Sequence, residues 1–305
     1  MTEVLFDNRL WAKGRPALSI LTPFKGDDPT PLLAALARES GDAELVLLDD
    51  GTNDAELAAR VEIAVAALPF PARFVRLAKN EGRSKGRNRL VSHARAGHYL
   101  FLDSDMLPDT PSFIGDWLAL IARQNPAVAF GGFSLDQAPP NRDHALHRAM
   151  AGQSDCLPAT ERALMPEKIF TSNLLVRADV FAAESFDEGF AGWGWEDVEW
   201  GMRVASRWPI LHVENTATHL GLDTARTLAD KYEQSTGNFA RVVASHHAVI
   251  SRYPSYKVAR LLKRAPLRSW WRPLLKAYAL TEAAPLKTRA FALRLYRAAL
   301  YAEAV

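Results

Sequence analysis

The chain is predicted to be an α/β protein with a mostly parallel central sheet, flanking helices and a helical C-terminal extension. Between Ala17 and about Leu135, short apolar runs alternate with longer helical patterns, as strands joined by crossover helices do. Asp50-Gly51 and Asn80-Glu81-Gly82 punctuate the ends of such runs, where ligands bind in open α/β sheets. From Thr224 onward helical patterning dominates, and Pro254, Pro266, Pro273 and Pro285 are expected to divide it into several helices.

The candidate strands are ALSILT (17–22), ELVLLD (44–49), ARFVRL (72–77), HYLFLD (98–103) and AVAFGG (127–132). Helices are expected between them near 30–40, 54–68, 83–96 and 111–124. After Asp136-Gln137-Ala138-Pro139-Pro140 the pattern loosens into a helix near 142–150, a strand FTSNLLV (170–176), a helix from Glu196 and a strand ILHVE (210–214). This divides the chain into a catalytic part over 1–223, with halves at 17–135 and 136–223, and an extension over 224–305. There is no internal repeat.

With 305 residues, 48% hydrophobic and 24% charged, the chain can bury a sizeable core and does not fit a disordered or low-complexity protein. Cys156 is the single cysteine, so no intramolecular disulfide or cysteine-based zinc framework is available, and a reducing compartment is expected. Glu3, Asp7, Arg9, Lys13 and Arg15 interrupt the first sixteen residues, which do not read as a signal peptide. The longest charge-free stretch, Gln124 to Leu135, is well short of the ~18 apolar residues of a spanning helix. Residues 252–305 hold twelve Lys or Arg against Glu282 and Glu303, a balance of +10, whereas residues 1–251 hold 25 against 33, or −8. The extension thus reads as a separate electrostatic object, for which an anionic partner is expected.

Directly after an apolar run stands Asp103-Ser104-Asp105, where strand alternation would point both carboxylates the same way. Two hard oxygen donors at a strand end suit a divalent cation that bridges nucleotide phosphates. Upstream lies Asn80-Glu81-Gly82-Arg83-Ser84-Lys85-Gly86-Arg87-Asn88. Arg83, Lys85 and Arg87 fall in the first turns of a helix, where they oppose the macrodipole unless an anion such as a phosphate is bound.

These residues, with Thr22-Pro23-Phe24 and Asp49-Asp50-Gly51, resemble a family 2 glycosyltransferase of the GT-A fold, the nucleotide-diphospho-sugar transferase fold. The resemblance implies that Asp103 and Asp105 form a DXD motif, with Asp105 the direct metal ligand and Asp103 supporting it on the donor side. It also places Pro23 and Asp50 at the nucleotide, Asp50 contacting base or ribose.

Farther on, Phe190-Ala191-Gly192-Trp193-Gly194-Trp195-Glu196-Asp197 is similar to the W-G-G-E-D segment of galactosyltransferase-type and chondroitin-polymerase-like enzymes. Trp195 replaces the usual glycine. The glycines permit close backbone approach, and Trp193 and Trp195 offer flat faces to an acceptor sugar. A carboxylate beside the acceptor hydroxyl can act as general base in a single displacement, which inverts the anomeric carbon. The resemblance assigns the base to Asp197 and acceptor binding to Glu196, with Glu199 a further carboxylate. It also implies that His219 completes the metal site and that Asn173 lines the sugar pocket. Imidazole beside carboxylates favours Mn2+ over Mg2+. His212 is the rival ligand, and His246 and His247 are more remote. Cys156 reads as structural.

The expected activity is therefore inverting, metal-dependent transfer of a hexose or N-acetylhexosamine from a nucleotide-sugar, a UDP-sugar first, to a hydroxyl of a glycan or lipid-linked acceptor. A sugar-nucleotide nucleotidyltransferase would carry a glycine-rich basic loop after the first strand, where Lys25-Gly26-Asp27-Asp28 stands instead. A dehydrogenase would show GxGxxG there, and a silent glycan-binding domain would have lost one of the paired acids. Trp270, Trp271, Tyr278, Phe291, Leu295, Tyr296 and Tyr301 lie among the basic residues of the extension. Such helices either rest on an anionic membrane surface or pack on the catalytic part. No nucleic-acid-binding motif accompanies them. The location implied is cytoplasmic, with peripheral attachment to the inner face of the membrane as the variant.

Overall fold

The computed structural model describes residues 3–12 and 14–305; Met1, Thr2 and Lys13, the last among the charges weighed against a leader, lie outside them. Strands β1 (Glu3–Asp7), β2 (Leu18–Phe24), β3 (Ala43–Asp49), β4 (Ala72–Leu77), β5 (His98–Leu102), β7 (Val128–Phe130), β9 (Asn173–Arg177) and β10 (Ile210–His212) form one sheet in the order β1-β4-β3-β2-β5-β9-β7-β10. Pairing is parallel from β4 through β3 and β2 to β5, and antiparallel for β1 on β4 and for β9 between β5 and β7. A second, three-stranded sheet joins β6 (Met106–Pro108), β11 (Ala217–His219) and β8 (Phe133–Ser134).

The central strands are buried on both faces, which explains their near-continuous apolar runs. Alternation still sorts them: Leu18 and Ile20 of β2 enter the core on one face, and Leu21 enters the core on the other. Crossover helices α1 (Thr30–Leu36), α2 (Ala55–Ala66), α3 (Arg83–His93) and α4 (Phe113–Gln124) cover the sheet. Asp54 starts α2 by accepting the Glu56 and Leu57 N–H groups, and Asn125 in the left-handed region ends α4.

A third core lies away from the sheet. It is built from α5 (Ala145–Ser154), α8 (Glu196–Ala205), α9 (Ala225–Ser245), α11 (Pro254–Lys263), α12 (Arg268–Leu280) and α13 (Leu286–Tyr301), with the short α6 (Ala159–Arg162), α7 (Ala178–Ala183) and α10 (His247–Ile250) completing the helices in chain order. Leu228, Tyr232, Phe239 and Val242 form the buried stripe of α9 and meet Leu146, Met150, Val198 and Met202 from the preceding half. The C-terminal helices therefore share a hydrophobic core with the 136–223 half. Pro254 opens α11, Pro285 precedes α13 and Pro266 separates α11 from α12, as expected. Pro273 does not divide a helix: it lies inside α12, as its sixth residue.

Candidate active site

The carboxyl ends of β2, β3 and β5 gather the predicted residues. Pro23 sits half-buried at the end of β2, and the Asp50 N–H bonds the Phe24 carbonyl at 2.9 Å. The Asp50 carboxylate accepts from the Glu81 N–H at 2.7 Å, the Gly82 N–H at 3.1 Å and Asn80 Nδ2 at 3.0 Å. One acid after β3 thereby folds the glycine loop that opens α3. Burial nevertheless holds its pKa above the usual carboxylate range. Gly51 is required here, with φ +81° and an added Cβ only 2.5 Å from the Asn80 nitrogen.

In the first turns of α3, Arg83 is exposed and Lys85 half-buried, as a phosphate-binding row requires, but Arg87 departs from it. Arg87 is 1% exposed; its Nη2 donates to Asp103 Oδ1 at 3.0 Å, and its Nη1 lies 3.8 Å from Glu196 Oε1. Arg83 Nη1 lies 3.9 Å from the same Glu196 oxygen. Arg87 thus joins the acids of the two halves from the interior instead of meeting a donor phosphate. Its Nε and Nη1 have no hydrogen-bond partner.

Asp103-Ser104-Asp105 is not a strand end with parallel side chains. It is a turn between β5 and β6, closed by the Met106 N–H on the Asp103 carbonyl at 3.1 Å. The turn gives the carboxylates different partners: Asp103 takes Arg87, and Asp105 Oδ2 meets His219 Nε2 at 3.3 Å. Antiparallel pairing of β11 on β6 sets His219 opposite Met106, which brings a histidine more than a hundred residues away to this turn. Burial depresses His219, but the bond and charge of Asp105 outweigh it and raise its pKa overall. Asp105 is lowered in return: burial pushes it up, and the His219 bond overcomes that.

A metal fits this corner with two protein ligands. The Asp105 and His219 side chains remain 34% and 26% exposed, so a cation and its other oxygen ligands could reach them. Gly221 faces the pair, and a Cβ there would lie 1.9 Å from Asp105 Oδ2 and 3.2 Å from His219 Nε2. Among the described residues no group of three or more potential ligands converges. Asp103 is engaged by Arg87, so the protein donors that could meet a cation at this corner are one carboxylate and one imidazole. The rival histidines have other partners: His212 contacts the Pro166 carbonyl, His246 contacts Glu199, and His247 contacts Tyr256. Sequence reasoning missed His147, whose ring centroid is 6.0 Å from that of His219 and whose Nδ1 accepts the Asp223 N–H at 2.7 Å. Burial lowers its pKa to about 4.

From the other half, α8 delivers its acidic first turn. Gly192, Gly194 and Trp195 all have positive φ, of 74°, 89° and 77°. Trp195 thus holds a left-handed conformation that glycine adopts more readily than a residue with a side chain. Its indole is not offered to an acceptor: Nε1 donates to Tyr301 Oη at 2.9 Å, and the ring packs against Phe239. Trp193 remains half-buried beside Tyr232 and Lys231. Asn238, another unforeseen residue, braces the loop by donating to the Ala191 and Gly194 carbonyls.

Glu196 is 5% exposed, and burial, then the neighbouring Asp197, push its pKa up to about 7. Asp197 Oδ2 accepts the Thr171 N–H at 3.2 Å, while Oδ1 has no partner. Glu199 is occupied by Arg203 at 2.8 Å and His246 at 3.0 Å. Asn173 does not line a sugar pocket. It is fully buried and donates to the Gly132 and Asn215 carbonyls, bracing β9 beneath the site. Burial raises the Cys156 thiol to about 11, in keeping with a structural role. A separate groove of 570 Å3, lined by Arg142, Leu146, Arg226 and Leu280 among others, shares none of these residues.

Residues 30–179 match the family described as Glycosyl transferase family 2. Among solved structures, the chain is similar to TarS 1-349 from S. aureus, with a TM-score of 0.57 at 16% identity, over 94% of this chain and 89% of that chain. The same protein in complex with UDP gives 0.53 at 15% identity, with the same coverage. The mannosyltransferase PcManGT from Pyrobaculum calidifontis, in complex with GDP-Man and Mn2+, gives 0.58 at 11% identity over 96% and 88%. At these identities the likeness is one of fold, the GT-A arrangement. No curated protein matches the chain by sequence.

Proposed function

Because this chain belongs to glycosyl transferase family 2 through residues 30–179, we propose that it catalyses an inverting transfer of a hexose or N-acetylhexosamine from a nucleotide-diphosphate donor to a hydroxyl of a glycan or glycolipid. The observation that carries the mechanism is Asp197, whose Oδ2 is fixed by Thr171 while Oδ1 is left unpartnered beside the Arg87 and Glu196 cluster. A carboxylate oxygen held this way can take the acceptor proton as the acceptor oxygen attacks the anomeric carbon. The bond from that carbon to the diphosphate breaks on the opposite face, so configuration inverts and the nucleoside diphosphate departs with the electron pair.

Arg83 and Lys85, at the start of α3, meet the diphosphate. Asp50 acts on the donor side by holding the 80–82 loop, and the resemblance adds a contact to base or ribose. Asp105 and His219 would hold Mn2+, or Mg2+ in its place, which when bound offsets charge on the departing diphosphate. Trp193 is the remaining aromatic acceptor surface, and Glu196 the acceptor-side carboxyl. The UDP bound by TarS and the GDP-Man bound by PcManGT support a nucleotide donor, with a UDP-sugar as the first choice.

The test is a screen of nucleotide-sugars, with and without Mn2+, for release of nucleoside diphosphate in the presence of glycan acceptors. Release that follows one donor and needs an acceptor is expected. Glycan binding without turnover of any donor would reduce the protein to a silent binding domain.

A further inference from the structure

The C-terminal helices turn several large apolar side chains outward. Leu261, Leu267, Trp270, Leu274, Tyr278 and Phe291 are each between 43% and 78% exposed. Trp270, Leu274 and Tyr278 follow at four-residue steps along α12 and so share one stripe. Tyr278 Oη meets Thr288 Oγ1 of α13 at 2.9 Å, which sets Phe291, one turn further along α13, beside the same stripe. Tyr296 and Tyr301, equally aromatic in sequence, are buried and belong to the core.

The C-terminal segment that carries this apolar face is also rich in exposed positive charge. Arg252, Lys257, Arg260, Arg264 and Lys287 are exposed and make no ion pair among the described residues. Of the two acids in residues 252–305, Glu303 is paired with Arg272, and Glu282, just after α12, is exposed and makes no ion pair among the described residues, so the balance there stays strongly positive. We propose that this face docks on an anionic lipid bilayer, with α12 lying along the surface, Trp270, Leu274 and Phe291 at the acyl boundary and the free arginines and lysines among the phosphate headgroups. Charge complementarity selects this occupant, because a second copy would set Arg260 and Arg264 against like charges, whereas anionic headgroups neutralise them. No helix among the described residues is long and apolar enough to cross a membrane, so the attachment lies on the surface. None of these residues belongs to the candidate active site, and the inference stands independently of the transfer reaction.

The experiment is co-sedimentation of the full chain with vesicles of phosphatidylcholine, alone or mixed with phosphatidylglycerol. Three proteins are compared: the parent, a Trp270→Ser/Leu274→Ser/Phe291→Ser variant of unchanged charge, and an Arg260→Gln/Arg264→Gln variant. The parent should pellet with the anionic vesicles and be released by salt, and the apolar variant should partition at least roughly 10-fold more weakly. The arginine variant should also weaken, with a shallower salt dependence. The substituted positions are exposed, and thermal melts confirm that each variant folds. Partitioning of the apolar variant equal to the parent overturns the proposal, as does a stable parental dimer that this variant splits into monomers. UDP binding on the same samples reports separately on the active site, so pelleting without nucleotide binding would refute only the transferase reading.

Discussion

Arg87 reaches Asp103 at 3.0 Å from a position only 1% exposed, so the acid of the nucleotide half is neutralised from inside the protein. The same guanidinium lies 3.8 Å from Glu196, which begins the helix that supplies the proposed base. A buried cation between acids of two segments sets the distance between them. Removing one member of such a cluster leaves uncompensated charge, and that cost exceeds the value of the pair itself.

Arg87→Met should therefore destabilise the fold by about 3–5 kcal/mol, while Arg83→Met, at an exposed position with only a 3.9 Å contact, should cost less than about 1 kcal/mol. Urea denaturation of the two variants checks this. Equal, small losses would mean that the acids of this cluster are neutral without Arg87.

Asp197→Asn keeps the shape and an oxygen to accept the Thr171 N–H, but it removes the base. Transfer should fall by roughly 10²–10⁴, with nucleotide affinity near the parent value. Glu199→Gln should not reproduce that loss, because Glu199 is already bonded to Arg203 and His246. Single-turnover rates separate the two. A fully active Asp197→Asn enzyme would move the base to Glu196.

The contrast between Arg83 and Arg87 shows what sequence alone could yield. β2 to β5 were legible because strands buried on both faces read as apolar runs, and the first turns of α3 were legible because Gly82 precedes a cluster of cations. Which cation faces solvent depends on how α8 closes over α3, a relationship between segments about a hundred residues apart that no local pattern carries. The same holds for Trp195, whose indole is claimed by Phe239 and Tyr301 from two distant helices. β1, β6, β8 and β11 are not legible because strands of two to five residues show too little alternation. The turn at Asp103 is not legible because the alternation of β5 ends at Leu102, three residues short of Asp105.

Gly221→Ala tests the metal corner without touching a ligand. The added methyl would lie 1.9 Å from Asp105 Oδ2, so either the carboxylate or the loop must move. Calorimetry should show that the Mn2+-dependent gain in UDP affinity is largely lost in this variant and in Asp105→Asn, while binding in EDTA is the same as for the parent. An undiminished Mn2+ effect in both variants would place the cation elsewhere.

The last prediction concerns pH. The Glu196 carboxyl is pushed from an ordinary 4.5 up to about 7 by burial and by Asp197, so the folded chain retains a proton that the unfolded chain has released. Between these values the folded state binds more protons, and the contribution of this group to stability falls as pH rises through the window and levels off above it. His147 opposes it: burial lowers that group from 6.5 to about 4, so stability is lost as pH falls through its own window. The two overlap between about pH 4.5 and 6.5, and the wild-type profile alone would conceal both. Glu196→Gln isolates the carboxyl, because the amide cannot titrate. The stability of wild type relative to Glu196→Gln should decline from pH 5 to pH 7, as read from urea midpoints at constant m-value. A difference that stays flat, or that grows with pH, would mean that Arg83 and Arg87 hold Glu196 ionised throughout.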